Sequence, residues 1–305
     1  MIALPFLLYA ILFLGLWLAL YNLAPLSLLW VSQSSNAIVR RLIGFRAGQR
    51  LFSPFHRRLI VPVRDRITPY RAFLPVALIA ATGAILSILA GLLFLELAEA
   101  VQDGSSVMER VDESVHGWAE HLRTEVGTSF FTFFTVVGTP VGLGILVVIV
   151  SGVLIAKGRY RWSAFLAITT VLGGLLNLAL KSIFERQRPD LSTALRHASG
   201  FSFPSGHAMG ATIVFGALAY LAVRHYRTWK ARSGALAAAA ATIAAICVSR
   251  IYLGVHWISD IIAGVSSGAV WVLATTLAYE VFRRVRAIRL AESQRSLEGV
   301  EADDA

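Results

Sequence analysis

The feature that most constrains the fold of this chain is a series of apolar runs, each long enough to cross a membrane. Residues 73–95, for example, contain no charged side chain, and about 20 apolar residues in a helix span the hydrocarbon layer. Backbone groups in hydrocarbon must be hydrogen-bonded within their own segment, so each span is predicted to be an α-helix. Seven spans are predicted, at 2–20, 73–95, 130–156, 162–180, 207–223, 235–248 and 257–282. The expected fold is therefore all-α, a polytopic transmembrane helix bundle.

The segment before the second span differs in composition from the rest. Residues 1–39 carry no charge and are predicted to be a transmembrane helix and linker rather than a signal peptide, because a basic start and a cleavage site are missing. Residues 40–71 hold nine Arg against one acid, Asp65, with apolar residues between them. Such a mixture is typical of a segment that lies on an anionic membrane surface. The remaining domains are predicted as a core at 72–282 and a cytoplasmic tail at 283–305.

The distribution of basic residues predicts the orientation. The formal net charge is +10, and Lys and Arg concentrate in cytoplasmic loops. The basic segments 40–71, 157–161, 224–232 and 283–305 alternate onto one side, which we interpret as the cytoplasm. The N-terminus and the acidic segment 96–125 are then external, and that segment is predicted to be solvated and partly helical. The charge indicates orientation in a bilayer and no nucleic-acid partner, while the single Cys247 is predicted to be a packed apolar residue.

Three polar segments fall on the predicted external side. The first runs from Lys181 to Arg188 and Pro189 at the end of the fourth span. Two cations seven positions apart are expected on about the same helix face, with Pro189 ending the helix. They could hold one polyanion, or they could be cations that reach the membrane interface from a helix end.

The second segment, Ser202 to His207, opens the fifth span. Pro204, Ser205 and Gly206 predict either an ordinary turn and cap or a helix N-terminus whose free N–H groups favour a phosphate. In the latter case His207 would stand beside that phosphate.

The third segment contains Arg250, Gly254, His256 and Asp260. His256 and Asp260 are spaced four apart, so on a helix the carboxylate can accept a hydrogen bond from one imidazole nitrogen and leave the other free to attack. The guanidinium of Arg250 suits phosphate oxygens. Ionisable residues at a membrane boundary are candidates for function by default.

Together the three segments resemble the signature of the type 2 phosphatidic acid phosphatase (PAP2) family, membrane lipid phosphatases that share a fold with vanadium haloperoxidases. The family pattern is Lys, six residues, Arg-Pro; then Pro-Ser-Gly-His; then Ser-Arg, five residues, His, three residues, Asp, and this chain matches it in type, spacing and order. The resemblance covers about residues 73–282 and implies a six-helix core. It leaves the additional N-terminal helix without a family role.

The resemblance implies a role for each matched residue. Lys181, Arg188 and Arg250 would hold the phosphate with Ser205 and the backbone N–H of Gly206. His256 would be the nucleophile that forms a phosphohistidine, with Asp260 as its orienting partner. His207 would protonate the leaving oxygen and then deprotonate the attacking water.

The function implied is metal-independent hydrolysis of a lipid monophosphate or diphosphate at the external face of a bacterial cytoplasmic membrane, without a cofactor. The expected partners are the bilayer and a phospholipid or polyprenyl phosphate, such as undecaprenyl diphosphate, phosphatidylglycerol phosphate, phosphatidic acid or lipid A. Phosphotransfer to another alcohol, a vanadate-dependent haloperoxidase and a non-catalytic lipid transporter are the alternatives. The sequence predicts neither the substrate nor the oligomeric state.

Overall fold

The computed structural model describes residues 74–303, and that part of the chain is helical without a β-strand. Its helices are α1 (Leu74–Gln102), α2 (Ser106–His121), α3 (Glu125–Val137), α4 (Pro140–Ala156), α5 (Tyr160–Phe184), α6 (Gly206–His225), α7 (Trp229–Tyr252) and α8 (Ile258–Asp303). By its internal contacts the chain divides into two units within α1, between Ala84 and Ile85. The predicted span at 2–20 and the Arg-rich segment at 40–71 lie outside the described residues. Within the described range, the all-α prediction is confirmed.

Five of these helices have stretches long and apolar enough to cross a membrane. They are Ala81–Gln102, Tyr160–Phe184, Gly206–His225, Trp229–Tyr252 and Ile258–Arg284. The span predicted at 235–248 is part of a longer helix, the 24-residue α7. The chain is therefore an integral membrane protein.

The span predicted at 130–156 is not one straight helix. Helices α3 and α4 are long and apolar enough to cross a membrane only when taken together, and their axes are bent by 58° relative to each other. The break has a local cause, because the Thr139 hydroxyl accepts a hydrogen bond from the backbone N–H of Gly142 at 3.0 Å and Pro140 occupies the first turn of α4. A capped N-terminus with proline starts a new helix at this point.

The acidic segment 96–125 is more ordered than expected. Its first part continues α1, and most of the rest is the 16-residue helix α2. Asp112 on α2 is only 2% exposed. The prediction of a solvated, partly helical segment is confirmed for most of these residues, but one face of α2, with Asp112, is buried where α2 packs against α7 and α8.

Helix α6 is at the centre of the bundle and contacts α4, α5, α7 and α8. Its backbone approaches that of α8 at two glycines. A Cβ on Gly264 would lie 2.7 Å from the carbonyl oxygen of Ser205, and one on Gly268 would lie 2.9 Å from that of Met209. The two glycines, spaced four apart, thus allow a close contact between the two helices. Cys247 is buried in the apolar core between α6 and α7, as predicted.

The helix directions bring the three polar segments to one end of the bundle, which we call the site end. Helices α5 and α7 end there, and α6 and α8 begin there. The starts of α6 and α8 are linked by a hydrogen bond, in which the backbone N–H of Ser205 donates to the carbonyl of Asp260 at 3.0 Å. Residues separated by up to 79 positions in the sequence, from Lys181 to Asp260, can thus share one site.

Candidate active site

The histidine and aspartate of the third motif form a buried pair. Nδ1 of His256 lies 3.1 Å from Oδ2 of Asp260, and the two side chains are 2% and 0% exposed. The same Oδ2 accepts the backbone N–H of Trp257 at 3.0 Å. The predicted hydrogen bond between residues spaced four apart is confirmed, but the expectation that both lie on one helix is wrong, because α8 begins at Ile258 and His256 precedes it. Asp260 instead lies in the first turn of α8 and reaches back to the imidazole.

The turn that carries His256 requires Gly254. This glycine has a φ of +76°, a conformation that side chains with a Cβ rarely adopt. A Cβ there would also lie 2.5 Å from Nη2 of Arg123. Arg123 is held in turn by the carbonyls of Tyr252 and Thr193, at 3.1 and 2.7 Å. The turn is thus fixed by its contacts with the α2–α3 connection.

Arg188 faces the open nitrogen of the histidine. Its Nη1 lies 3.1 Å from Nε2 of His256 and donates to the carbonyl of Val255 at 2.7 Å. The prediction that Arg188 shares a helix face with Lys181 is wrong, and so is the prediction that Pro189 ends that helix. Helix α5 ends at Phe184, because Glu185 adopts a left-handed φ of 43°, and Arg188 returns to the site on the connecting loop.

The other two predicted cations approach from helix ends. Lys181, in the last turn of α5, donates to the carbonyl of Phe201 at 2.5 Å. Arg250, in the last turn of α7, is 6% exposed and donates through Nη1 to the hydroxyl of Thr135 on α3. Nε of Arg250 is buried and has no hydrogen-bond partner within the described residues.

The second motif places further donors at the start of α6. Ser205 is the N-cap, Gly206 is the first residue of the helix, and Pro204 lies just before the cap rather than in the first turn. The Ser205 hydroxyl and Nε2 of His207 are buried and lack a partner in the described part of the chain. The first N–H groups of a helix have no intrahelical acceptor and favour an anion.

Space at the start of α6 is limited by α5. A Cβ on Gly206 would lie 2.9 Å from Oδ1 of Asn177 and 3.8 Å from Cε of Lys181. The glycine therefore allows the backbone of α6 to approach the lysine closely. A side chain larger than glycine at this position would require Asn177 to move.

The electrostatics of the site favour an anion and a neutral histidine. His207 lies within electrostatic reach of Arg250, His256, Arg188 and Lys181. Burial, followed by the positive charges of Arg250, Arg188 and Lys181, holds the pKa of His256 well below its ordinary value. With Nδ1–H donated to Asp260, the neutral tautomer leaves the lone pair of Nε2 directed toward Arg188.

Sequence reasoning missed a buried ion network behind this pair. Arg186, whose side chain is 15% exposed, lies 2.8 Å from Oδ1 of Asp260 through Nη1 and 2.8 Å from Oδ2 of Asp112 through Nη2. Ser259 joins the same network, because its hydroxyl donates to Asp112 at 2.6 Å. Arg186 and Ser259 stand within the motifs, but Asp112 gives no local signal because it lies 74 residues before Arg186.

A cleft of about 310 Å³ opens beside the network. Helix α2, the 186–188 loop and Trp257 line it, so Arg188 contacts both the cleft and His256. Within the described residues, no group of three His, Cys, Asp or Glu side chains could hold a metal ion. The donors that converge here are cations, hydroxyls and backbone N–H groups, which suit a phosphate.

Comparison with known proteins identifies relatives of this chain. A family model of the PAP2 superfamily matches residues 162–284. The chain is 35% identical over 180 residues to phosphatidylglycerophosphatase B of Bacillus subtilis strain 168. The aligned stretch covers 58% of this chain and 86% of the relative. The chain is 34% identical over 125 residues to a lipid A 1-phosphatase of Rhizobium etli, or 38% of this chain and 50% of that protein.

A solved structure has the same fold. The crystal structure of a transmembrane PAP2 type phosphatidylglycerolphosphate phosphatase from Bacillus subtilis superposes with a TM-score of 0.58 at 30% identity. The match covers 62% of this chain and 94% of the other. All three motifs lie inside residues 162–284, which the family model matches, and the chain belongs to the PAP2 superfamily.

Proposed function

We infer that the protein is a membrane lipid phosphatase that transfers a phosphoryl group to His256 and then to water. One observation carries this inference. The neutral imidazole of His256 is backed by Asp260, while the buried polar atoms Ser205 Oγ, His207 Nε2 and Arg250 Nε have no partner within the described residues. All three can be donors, and a bound phosphate would supply the acceptors that buried donors require.

Substrate binding rearranges the cations. The phosphate would replace the carbonyls that now engage Lys181 and Arg188, since charge-assisted bonds to an anion are stronger than bonds to neutral carbonyls. Arg250 is already fixed by Thr135 and would add its unpartnered Nε. Together the three cations would offset the charge on the transferring phosphoryl group.

The first chemical step forms a P–N bond and breaks a P–O bond. Nε2 of His256 attacks phosphorus, and the lipid oxygen leaves with the electron pair of its bond. His207, which enters this step as an imidazolium beside the bound phosphate dianion, gives its proton to that oxygen and becomes neutral, while Asp260 stabilises the positive imidazolium of His256 through Nδ1–H. In the second step His207 takes a proton from water, whose oxygen attacks phosphorus. The P–N bond then breaks and its electrons return to Nε2, which regenerates the neutral imidazole and releases phosphate.

The orientation proposed is one with the site end external. The opposite ends of the helices carry the basic segments 157–161 and 224–232, and the chain after 282 adds further Arg residues. Because cytoplasmic loops hold the excess of Lys and Arg, this distribution supports a site at the outer face. A lipid would then keep its chains in hydrocarbon while its phosphate enters the site beside the α2 cleft.

The substrate class proposed is a lipid monophosphate or diphosphate, with phosphatidylglycerol phosphate first because the relative covered over 86% of its length is a phosphatidylglycerophosphatase. Lipid A is the second candidate, since another relative is a lipid A 1-phosphatase. Phosphatidic acid and undecaprenyl diphosphate complete the panel to be tested.

The test is phosphate release by the purified full chain on this panel, with His256→Ala as the blank and a parallel series in a metal chelator. The account expects release from at least one lipid, no release by His256→Ala or His207→Ala, and no effect of the chelator. Loss of wild-type activity on chelation would contradict the metal-independent mechanism. Labelled phosphate that appears on an added alcohol instead of in solution would show phosphotransfer.

A further inference from the structure

Helix α2 reaches the catalytic pair through a single arginine. Asp112 is 2% exposed and accepts three hydrogen bonds, from Arg186 at 2.8 Å and from the backbone N–H and hydroxyl of Ser259 at 3.0 and 2.6 Å. Arg186 also donates to Oδ1 of Asp260 at 2.8 Å. A planar guanidinium can hold two carboxylates in fixed directions. The orientation of Asp260 is therefore set from α2 as well as from α8.

The formal charges of this network have a chemical consequence. Asp112 and Asp260 are each −1 and Arg186 is +1, so the group carries −1 behind His256. If Asp112 were neutral, the arginine and Asp260 would cancel to zero. A carboxylate already neutralised by a cation stabilises a second cation less, and in a buried site such differences are larger than in water.

We propose that Asp112, acting through Arg186, is a positioning residue that leaves the negative charge of Asp260 available to the imidazolium formed when His256 attacks phosphorus. This inference rests on the proposed function. It assigns the external helix α2 a part in the reaction although no atom of Asp112 contacts the imidazole. Because the charge on His256 develops only during the reaction, the effect falls on kcat rather than on KM.

The first test replaces the charge without changing the shape. Asp112→Asn is expected to lower kcat about tenfold, the lower end of the ten- to hundredfold range found for partners bonded directly to a functional histidine, because two hydrogen bonds separate Asp112 from Asp260. KM is expected to be nearly unchanged. Asp112→Glu keeps the charge and is expected to retain more kcat than Asp112→Asn. Asp103→Asn is the matched control, because Asp103 is an exposed acid just before the same helix and its loss is expected to leave kcat unchanged.

The second test separates charge from geometry. The double variant Asp112→Asn with Arg186→Gln removes one negative and one positive charge, so the group behind His256 returns to −1. The charge account expects this variant to be several-fold more active than Asp112→Asn alone. A purely structural role expects it to be no more active, since a further hydrogen-bonding side chain has been lost.

Each outcome has a defined meaning. Wild-type kcat in Asp112→Asn would overturn the proposal, and so would a double variant no more active than the single one. If Asp112→Asn fails to fold, as judged by elution and thermal unfolding in detergent, the double variant decides alone. It should retain kcat within about tenfold of wild type, and activity as low as that of His256→Ala overturns the proposal. Full activity of His256→Ala would instead refute the proposed function itself.

Discussion

Replacing Asp260 with asparagine tests the catalytic pair at a single atom. Every partner of this carboxylate in the site is a donor: Arg186 on Oδ1, and Trp257 N–H and His256 Nδ1 on Oδ2. Asparagine keeps the shape but offers one accepting oxygen and one NH₂ group. If the NH₂ takes the Oδ2 position, His256 must carry its proton on Nε2 to accept at Nδ1. If it takes the Oδ1 position, it faces the donating guanidinium of Arg186.

The size of the effect follows from those two choices. The first removes the nucleophilic lone pair, as in the aspartate-to-asparagine variant of a serine protease triad, which loses about 10⁴ in kcat. The second places two donors against each other in a site where Asp260 is 0% exposed. We expect Asp260→Asn to lower kcat about 10³- to 10⁴-fold, which is about 4 to 5 kcal/mol at 1.36 kcal/mol per decade.

The assay is steady-state phosphate release in detergent micelles, with thermal unfolding measured on the same samples. Asp190→Asn is the matched control, because the exposed carboxylate of Asp190 bonds only to Ser192 in its own loop among the described residues. Asp190→Asn should keep wild-type kcat. A kcat within tenfold of wild type for a folded Asp260→Asn would refute the assignment of Asp260 as the partner of the nucleophile.

Three further predictions concern packing, pH and the phosphate clamp. Gly264→Ala should lower the free energy of unfolding by about 1–3 kcal/mol, because its Cβ would lie 2.7 Å from the backbone oxygen of Ser205. Gly144→Ala is the control and should not lower it, because no atom lies within 4 Å of a Cβ at that position. Equal thermal unfolding curves for the two variants would contradict this. The pKa of His256 is lowered in the folded protein, so the unfolded chain binds a proton at this residue first as the pH falls. The difference in free energy of unfolding between wild type and His256→Gln should therefore change in favour of the variant below about pH 6.5. A pH-independent difference in chemical denaturation would contradict this prediction. Arg250→Lys should raise KM at least about tenfold, because the guanidinium bonds Thr135 through Nη1 and presents a separate nitrogen, Nε, to phosphate, whereas the compact ammonium of lysine lacks this planar fork. An unchanged KM would contradict the clamp.

The overall fold was predictable because its signal is local. Uncharged runs of about 20 residues specify membrane helices wherever they occur, and α5 to α8 lie where such runs predict them. The bend between α3 and α4 was visible in principle, since Thr139 followed by Pro140 is a helix-start signal inside an apolar run. The hydropathy of the whole segment nevertheless favours a single continuous span over residues 130–156.

The composition of the site was predictable in part, because its motifs have a fixed order and spacing. The geometry was not. Arg188 reaches His256 from a loop, and this path depends on the left-handed φ of Glu185, which no residue preference indicated. Asp112 stands among eight acids in 96–125, and only tertiary contact distinguishes the buried one from its exposed neighbours. Long-range ion pairs of this kind have no periodic signature in a single sequence.

The most direct test of the account is to trap the phosphorylated enzyme. Wild-type protein is mixed with a lipid substrate labelled in its phosphate, quenched in alkaline denaturant within milliseconds, and digested for mass spectrometry. The account predicts label on the peptide that contains His256, and on no other residue, in an amount that rises before free phosphate appears. Free phosphate released without labelled protein, or label on a residue other than His256, would contradict it.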